Sequence, residues 1–382
     1  MMTDPENPRW VKAKNSAIEN LKAKGFEVLA EQKKAQTDMN AWIMSQIDNS
    51  KIDALLLAPT DDAASEPIRH ANENNGIPVI AYDKLIHSIS DNYNWYVTFD
   101  SEEVGRLQGL SFLSKIYNYQ EPGENKDNIF DDENTMLAWV KEHKLSSRKI
   151  YATVGGDPKD NNARLFYNPA LDLIRKAEAI DPNLTNAREL ESSQRGKVDG
   201  FDLAGTLSWD YGKGKEKIDA LLGDIIDNKH VKADEIIGVL CPNDEMANVI
   251  IEALKGKNIT NYVVTGLDAN KVAYDHIKEG RQFMTIYKPD DYTTKVAAVM
   301  FDAIYKKNGN SFTNAKDLSV EEMKKALDAA KLGFEYKIDD KNYIAKTGSG
   351  KTDKTKIIKT ILLKPIVITK GNLKVIEKYV GK

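Results

Sequence analysis

The stretch IDALLLA at 52–58 reads as a continuous apolar strand, and the polar loop Pro59-Thr60-Asp61-Asp62 follows it at once. A run of this kind marks a strand covered on both faces, which is the condition inside parallel sheets. It therefore demands helices on either side, and the sequence supplies them. One is expected around 41–48 and another over 63–75, where Gly76 stops it. Then come IPVIAY at 77–82, ending in Asp83-Lys84, and WYVTF at 95–99, with Asp100-Ser101 capping a helix from 102 to about 117. Strands alternating with helices predict an α/β chain whose sheets are parallel and flanked by helical crossovers.

The pattern restarts downstream. Lys149 to Val154 is a predicted strand, followed by a loop through Asn162 and a helix over 163–179. Later strands are EIIGVL at 235–240, YVVTG at 262–266 and FMTIY at 283–287, with helices over 215–227, 246–255 and 290–305. The charged stretch 308–356, with a helix over 320–331, carries too little apolar sequence for a core of its own. It is expected to elaborate one lobe. ILLKPIVI at 361–368 is read as one last strand. A chain of 382 residues exceeds one ordinary core, and the recurrence of the strand–helix pattern predicts two similar lobes. The expected division gives 1–112 with 284–358 to an N-terminal lobe and 113–283 with 359–382 to a C-terminal lobe. Near the start, a helix from about Trp10 to Lys24 precedes a short predicted strand at 26–30. A βαβ chain needs a strand before that helix, so the first strand is expected to be missing and the chain to be a truncated form.

Strand after strand ends in residues of one chemical flavour. Asp83-Lys84, Asp160 to Asn162, Asn243-Asp244, Asp268 and Lys288 all follow strand ends, with Arg9 and Trp10 in the loop before the first helix and Trp209 in a further loop. In a doubly wound sheet such positions converge on one crevice, and in two lobes they would line a cleft. Asp160, Asn161, Asn162 and Arg164 place a carboxylate, two amides and a guanidinium within five residues. Such a set can donate and accept at once, as vicinal hydroxyls require; it can equally be a helix cap with a solvated first turn. Indole faces stack on the C–H faces of sugar rings, and Trp10 and Trp209 come one from each half of the chain.

Other chemistries find little support. The net charge is −4 and Lys and Arg are scattered, so no nucleic-acid face is expected. Five His and one Cys give neither zinc-ligand spacing nor an intrachain disulfide. No apolar run approaches the roughly 18 residues of a membrane span, and no signal peptide is read. G-x-S-x-G, H-E-x-x-H and a Walker loop are absent, the Gly350-Lys351-Thr352 run reading as a flexible turn. Cys241 is expected to be a buried structural thiol. No catalytic residue, metal or cofactor is assigned.

Several motifs jointly carry a resemblance: PRW at 8–10, VIAYDKLI at 79–86, WYVTFDSEEVGRLQG at 95–109, GGDPKDNNARLFYN at 155–168, PNDEMA at 242–247, VTGLDA at 264–269, MTIYKPD at 284–290 and ILLKPIVITKGN at 361–372. Together they resemble the periplasmic-type sugar-binding proteins of ABC importers, in particular the xylose-binding branch. The polar insertion at 119–145 and the tail at 308–358 resemble the version in mycoplasma surface lipoproteins. The resemblance implies a type I periplasmic-binding-protein fold with three hinge crossings and a non-enzymatic protein that clamps a monosaccharide and delivers it to a membrane permease. It implies ligand contacts from Arg9, Asp83, Lys84, Asn161, Asn162, Trp209, Asn243, Asp268 and Lys288, with Trp10 stacking. Asp160 and Arg164 match sugar-binding positions of the related galactose-binding proteins. Lys84 stands where the xylose branch has Arg, exchanging a planar fork for a point charge. A monomeric protein, extracytoplasmic and lipid-anchored in its full-length form, is implied as well. Alternatives are a regulator's sugar-sensing effector domain and a surface antigen or adhesin.

Overall fold

The computed structural model describes residues 2–3, 8–59, 62–73, 76–86, 95–120, 128–158, 160–190, 201–229, 231–347 and 354–380. They divide into two compact units, Met1–Asp100 with Pro289–Lys364 and Ser101–Lys288 with Pro365–Lys382. The chain thus passes from one unit to the other three times. These boundaries differ from those expected, and the pairing of the strands explains the difference.

In the first unit the sheet runs in the order Tyr336–Asp339, Lys359–Leu363, Trp95–Phe99, Val79–Tyr82, Leu55–Leu57. All neighbours are parallel except the first pair. The single strand expected over 361–368 is therefore two. Lys359–Leu363 lies parallel to Trp95–Phe99 in this unit, whereas Ile366–Thr369 pairs antiparallel with Met284–Tyr287 in the other. Pro365 stands at the break, where it can donate no ladder bond. The helix Val320–Ala330 brings Met323 and Leu327 into the same apolar cluster as Trp95, Val97 and Ile361, so the charged tail does elaborate this unit. Gly350-Lys351-Thr352 lies outside the described residues.

Two expectations near the start change. A strand does precede the first helix: Met2–Thr3 pairs in parallel with Gln32–Lys33. Residues 26–30 form no ladder among the described residues, and the strand begins only at Gln32. Apolar content alone misplaced it, because a ladder needs a partner and not merely β-branched side chains.

The second unit carries a parallel sheet in the order Leu184–Asn186, Lys149–Thr153, Ile236–Leu240, Val263–Val264. Leu184–Asn186 has no counterpart in the sequence reading, since three residues between helices give almost no period to detect. Helix Ser101–Ile116 is buried around most of its circumference, as expected of a helix with apolar residues on all sides. It packs on helix Asn161–Ile180 through Gly105 and Gly109. A Cβ at Gly105 would lie 2.2 Å from the Phe166 carbonyl oxygen, and one at Gly109 would lie 2.9 Å from Ala170 Cα. The helix backbones therefore touch. Pro169 lies inside the second helix and brings no N–H for the Leu165 carbonyl, which also faces Gly105.

Gly105→Ala should destabilise the second unit by about 2 kcal/mol or more, since backbone rather than a flexible side chain must yield. Urea unfolding measures this, and an unshifted midpoint would disprove the close approach.

Candidate functional site

Each unit carries its polar residues just beyond the carboxyl ends of parallel strands. In the second unit, strand Lys149–Thr153 leads through Gly155-Gly156 to Asp160, whose carboxylate accepts from the Asn162 N–H at 2.9 Å and caps helix Asn161–Ile180. The cap reading of Asp160 is thus realised. The Asn162 side chain accepts from Ser101 Oγ at 3.1 Å. Asn161 opens the helix, and its side chain lies outside the described residues. The Arg164 guanidinium sits over the Phe201 ring at 4.7 Å.

Trp209 is placed by backbone. Gly155 N–H donates to the Ala204 carbonyl at 2.8 Å and Thr206 N–H to the Gly156 carbonyl at 2.9 Å, which binds the 204–209 turn to the glycine pair. A Cβ on Gly156 would meet the indole at 2.1 Å, so only glycine lets the ring lie there. Ser208 and Trp209 both adopt positive φ, 56° and 52°. For such side chains that conformation costs about 1–3 kcal/mol each and persists only where the surroundings impose it.

The remaining strand ends are locked from beneath. Gln108, 1% exposed in the buried helix, donates from Nε2 to the Gly266 carbonyl at 3.0 Å and reaches the Cys241 and Pro242 carbonyls at 3.4 Å. Thr265 Oγ1 donates to the Cys241 carbonyl and accepts from the Cys241 N–H. Asp244, wholly buried, accepts from Gln282 Nε2 at 2.9 Å, Thr285 Oγ1 at 3.0 Å and Asn270 N–H at 3.1 Å. A Cβ on Gly266 would fall 2.1 Å from the Asp244 carboxylate, so this position must be glycine for the carboxylate to reach its donors. The network fixes Asp268 and Ala269 at φ 97° and 51°. Asp268 is thereby turned outward and pairs with Lys288 Nζ at 3.6 Å, while Lys288 also lies over the Phe166 ring at 5.4 Å. Asn243 caps helix Asp244–Gly256 through Met246 N–H, and its side chain is hydrogen-bonded to the Tyr211 hydroxyl. Burial, and then the negative charges of Glu245 and Asp268, raise the Tyr211 phenol above its ordinary range despite the Asn243 bond.

In the first unit, Asp83 follows strand Val79–Tyr82 with φ 68°, and its carbonyl accepts from Tyr96 Oη at 2.6 Å. Lys84 is exposed. Trp10 is 7% exposed and packs with Ala13, Ala17 and Leu56, which makes it first of all a core residue. Arg9 belongs to helix Pro8–Lys22, and its side chain lies outside the described residues. The structure therefore gathers Asp268 with Lys288, and Trp209 with the loop that leads to Asp160. Gln108, Tyr211, Phe166 and the positioning role of Asp244 were not read from the sequence. Only Asp244 left a trace there, as the second polar residue after a strand. Cys241 is fully buried, and burial followed by the Asp244 charge pushes its thiol pKa upward, against use as a nucleophile. No cluster of metal-binding type and no helix long and apolar enough to cross a membrane occurs among the described residues.

Burial first, then the charge of Asp268, push Asp244 up to about 8 despite its three donors. Its folded pKa lies above the unfolded value of 3.8, so its contribution to stability is complete below that value. It is lost as the pH rises toward about 8, and is constant above. Asp244→Asn removes this titration. Between about pH 5 and 8 the variant should lose less stability than the parent. The slope left over includes Glu178, which burial and Glu189 raise to about 7. Parallel stability–pH curves for variant and parent would rule the assignment out.

Comparison with known proteins bears on the family and the fold. The model of the periplasmic binding protein domain matches residues 1–310. The 46 kDa surface antigen of Mesomycoplasma hyopneumoniae is 30% identical over 97% of this chain and 85% of its own length. A multiple sugar-binding periplasmic protein of Azospirillum brasilense is 28% identical over 79% of this chain and 75% of its own. The D-xylose-binding periplasmic protein of Haemophilus influenzae is 26% identical over 74% and 69% respectively. Among solved structures, an ABC transporter solute-binding protein from Clostridium phytofermentans with bound β-D-glucose superposes with a TM-score of 0.65 at 23% identity, covering 98% of this chain and 94% of that one.

Proposed function

The chain belongs to the periplasmic binding protein domain family, and from that premise we propose that it is the solute-binding component of a sugar ABC importer. It captures a monosaccharide, a xylose-like or related aldose, and hands it to a membrane permease. The observation that carries this reading is the outward pair Asp268–Lys288 on its strained, internally braced loop. A carboxylate beside an ammonium offers acceptors and donors to adjacent hydroxyls, each charge-assisted bond netting roughly 1.5–3 kcal/mol. Trp209 supplies the apolar face. Asn161, Asn162, Asn243, Asp160 and Arg164 complete the second unit's share, and Arg9, Asp83 and Lys84 provide the first unit's. Trp10 contributes only by the edge that its packing leaves. The protein is monomeric, works outside the cytoplasm and is held at the membrane by a lipid anchor. Likeness to sugar-binding periplasmic proteins over about three quarters of the chain supports the reading.

A second role, as an exposed surface antigen, is favoured by the likeness to the Mesomycoplasma antigen along 97% of the chain. It is compatible with the first, since a lipid-anchored binding protein is displayed to the surroundings.

Titration of Trp fluorescence against a panel of monosaccharides, checked by calorimetry, should give saturable binding of one sugar with a Kd of about micromolar or below, near −8 kcal/mol. No response to any sugar would overturn the proposal. Trp209→Ala should weaken that binding roughly tenfold, or about 1.4 kcal/mol. Asp268→Ala should weaken it at least as much, because sugar hydroxyls and Lys288 both lose a partner. Unchanged affinity in either variant would remove that residue from the site.

A further inference from the structure

The turn that carries Trp209 is held at both ends. Downstream, the Asp210 carboxylate accepts from the Lys213 N–H at 3.1 Å and the Asp210 carbonyl from the Gly214 N–H at 3.0 Å. These bonds join the turn to the start of helix Tyr211–Lys229. Upstream stands the short helix Phe201–Ala204. The last carbonyls of a helix lack partners within it, and here three carbonyls in a row are taken up from outside. Ala204 accepts from the Gly155 N–H at 2.8 Å. Leu203 accepts from Lys217 Nζ at 3.3 Å, and Gly205 accepts from the same ammonium.

Lys217 thus reaches back from its own helix to the turn that precedes it. No carboxylate pairs with it among the described residues, so its charge ends on carbonyl oxygens, as lysines do at helix C-termini. Burial, and then the nearby Arg188 charge, lower its ammonium below the ordinary lysine range. Arg188, 7% exposed, donates from Nη2 to the Thr153 carbonyl at 3.4 Å, where strand Lys149–Thr153 ends. Two neighbouring cations therefore grip backbone, one at the strand exit and one at the turn.

Between the anchors at Gly205 and Asp210 the backbone is strained, with Ser208 and Trp209 at φ 56° and 52°. Such residues stay there only where the surroundings over-determine them. Thr206 is 1% exposed and its Oγ1 has no hydrogen-bond partner among the described residues, so that side chain does not brace the segment. The bonds to Gly155 and Gly156 join the turn to a loop, whereas the Lys217 ammonium joins it to a 19-residue helix. We propose that Lys217 is a positioning residue of the sugar site, its ammonium pinning the turn so that the Trp209 ring is presented to the ligand. This rests on the reading of Trp209 as the apolar face of that site. Lys217 acts through the indole. A guanidinium can replace its two donated bonds, and a thioether cannot.

The test uses Lys217→Met, Lys217→Arg, and Lys217→Met combined with Trp209→Ala, each in the 382-residue chain. Amide hydrogen exchange is read without ligand, and D-xylose and D-glucose are titrated by calorimetry. Lys217→Met should speed exchange at Thr206, Trp209 and Asp210 by about tenfold or more and leave Ile236–Leu240 unchanged. It should weaken binding of whichever sugar the parent takes about tenfold, and Lys217→Arg should stay within about threefold of the parent. Added to Trp209→Ala, it should weaken binding by less than about twofold further, because both changes remove the same contact. Unchanged exchange at the turn would overturn the proposal, as would an equal rise at Ile236–Leu240 or additive losses in the double variant. A parent that binds neither sugar would overturn the role at a sugar site even where the exchange rates respond, which separates failure of that reading from failure of the clamp.

Discussion

The second unit's candidate site depends on one buried carboxylate. Asp244 has no exposure and gathers three donors, one from each of Gln282, Thr285 and the Asn270 backbone. Asn270 follows strand Val263–Val264, Gln282 stands just before strand Met284–Tyr287, and Thr285 lies within that strand. Holding them together fixes the turn between, and that turn bears Asp268. Gln108 does the same from the other side by binding the carbonyls at two strand exits. A half-satisfied buried network would cost more than an apolar core. The outward disposition of Asp268 is therefore over-determined, which lets Asp268 and Ala269 keep a left-handed backbone.

Strain is distributed in the same way elsewhere. Asp83, Trp209 and Asp268, three residues that follow strands or line loops of the candidate site, all have positive φ. An aspartate tolerates that region better than other non-glycine residues, whereas a tryptophan does not. Trp209 stays there because its ring fills the space beside Gly156 that any Cβ would claim. The glycine pair, the indole and the Thr206 backbone bond are thus parts of one device, which holds the aromatic ring in place.

The first unit shows the reverse situation. Its sheet is well ordered from Tyr336–Asp339 to Val79–Tyr82, but the outer edge at Leu55–Leu57 is built like an interior strand. An apolar groove lies beside that edge, and the parallel pair Met2–Thr3/Gln32–Lys33 stands as a separate two-stranded ladder. The strand expected to be missing before the first helix is present as Met2–Thr3.

By itself the sequence determined the alternation of strands and helices, the parallel class of the sheets and the polar character of the strand ends. These are local: an apolar run, a cap or a stop signal is written in adjacent residues. It carried the family through motifs such as PNDEMA and VTGLDA, and it named Asp268 and Lys288 as neighbours in chemistry. It misread 26–30 as a strand and 361–368 as one, because pairing depends on what lies alongside, and only the fold brings Gln32–Lys33 to Met2–Thr3 or divides two ladders at Pro365. Nor could it single out Gln108 or Tyr211, since a lone amide in an apolar helix and a tyrosine after a turn look like ordinary residues until their partners, more than 30 positions away, are set against them. What the tertiary structure decided was which buried groups hold the exposed ones, because hydrogen bonds between distant segments have no signature in either segment alone.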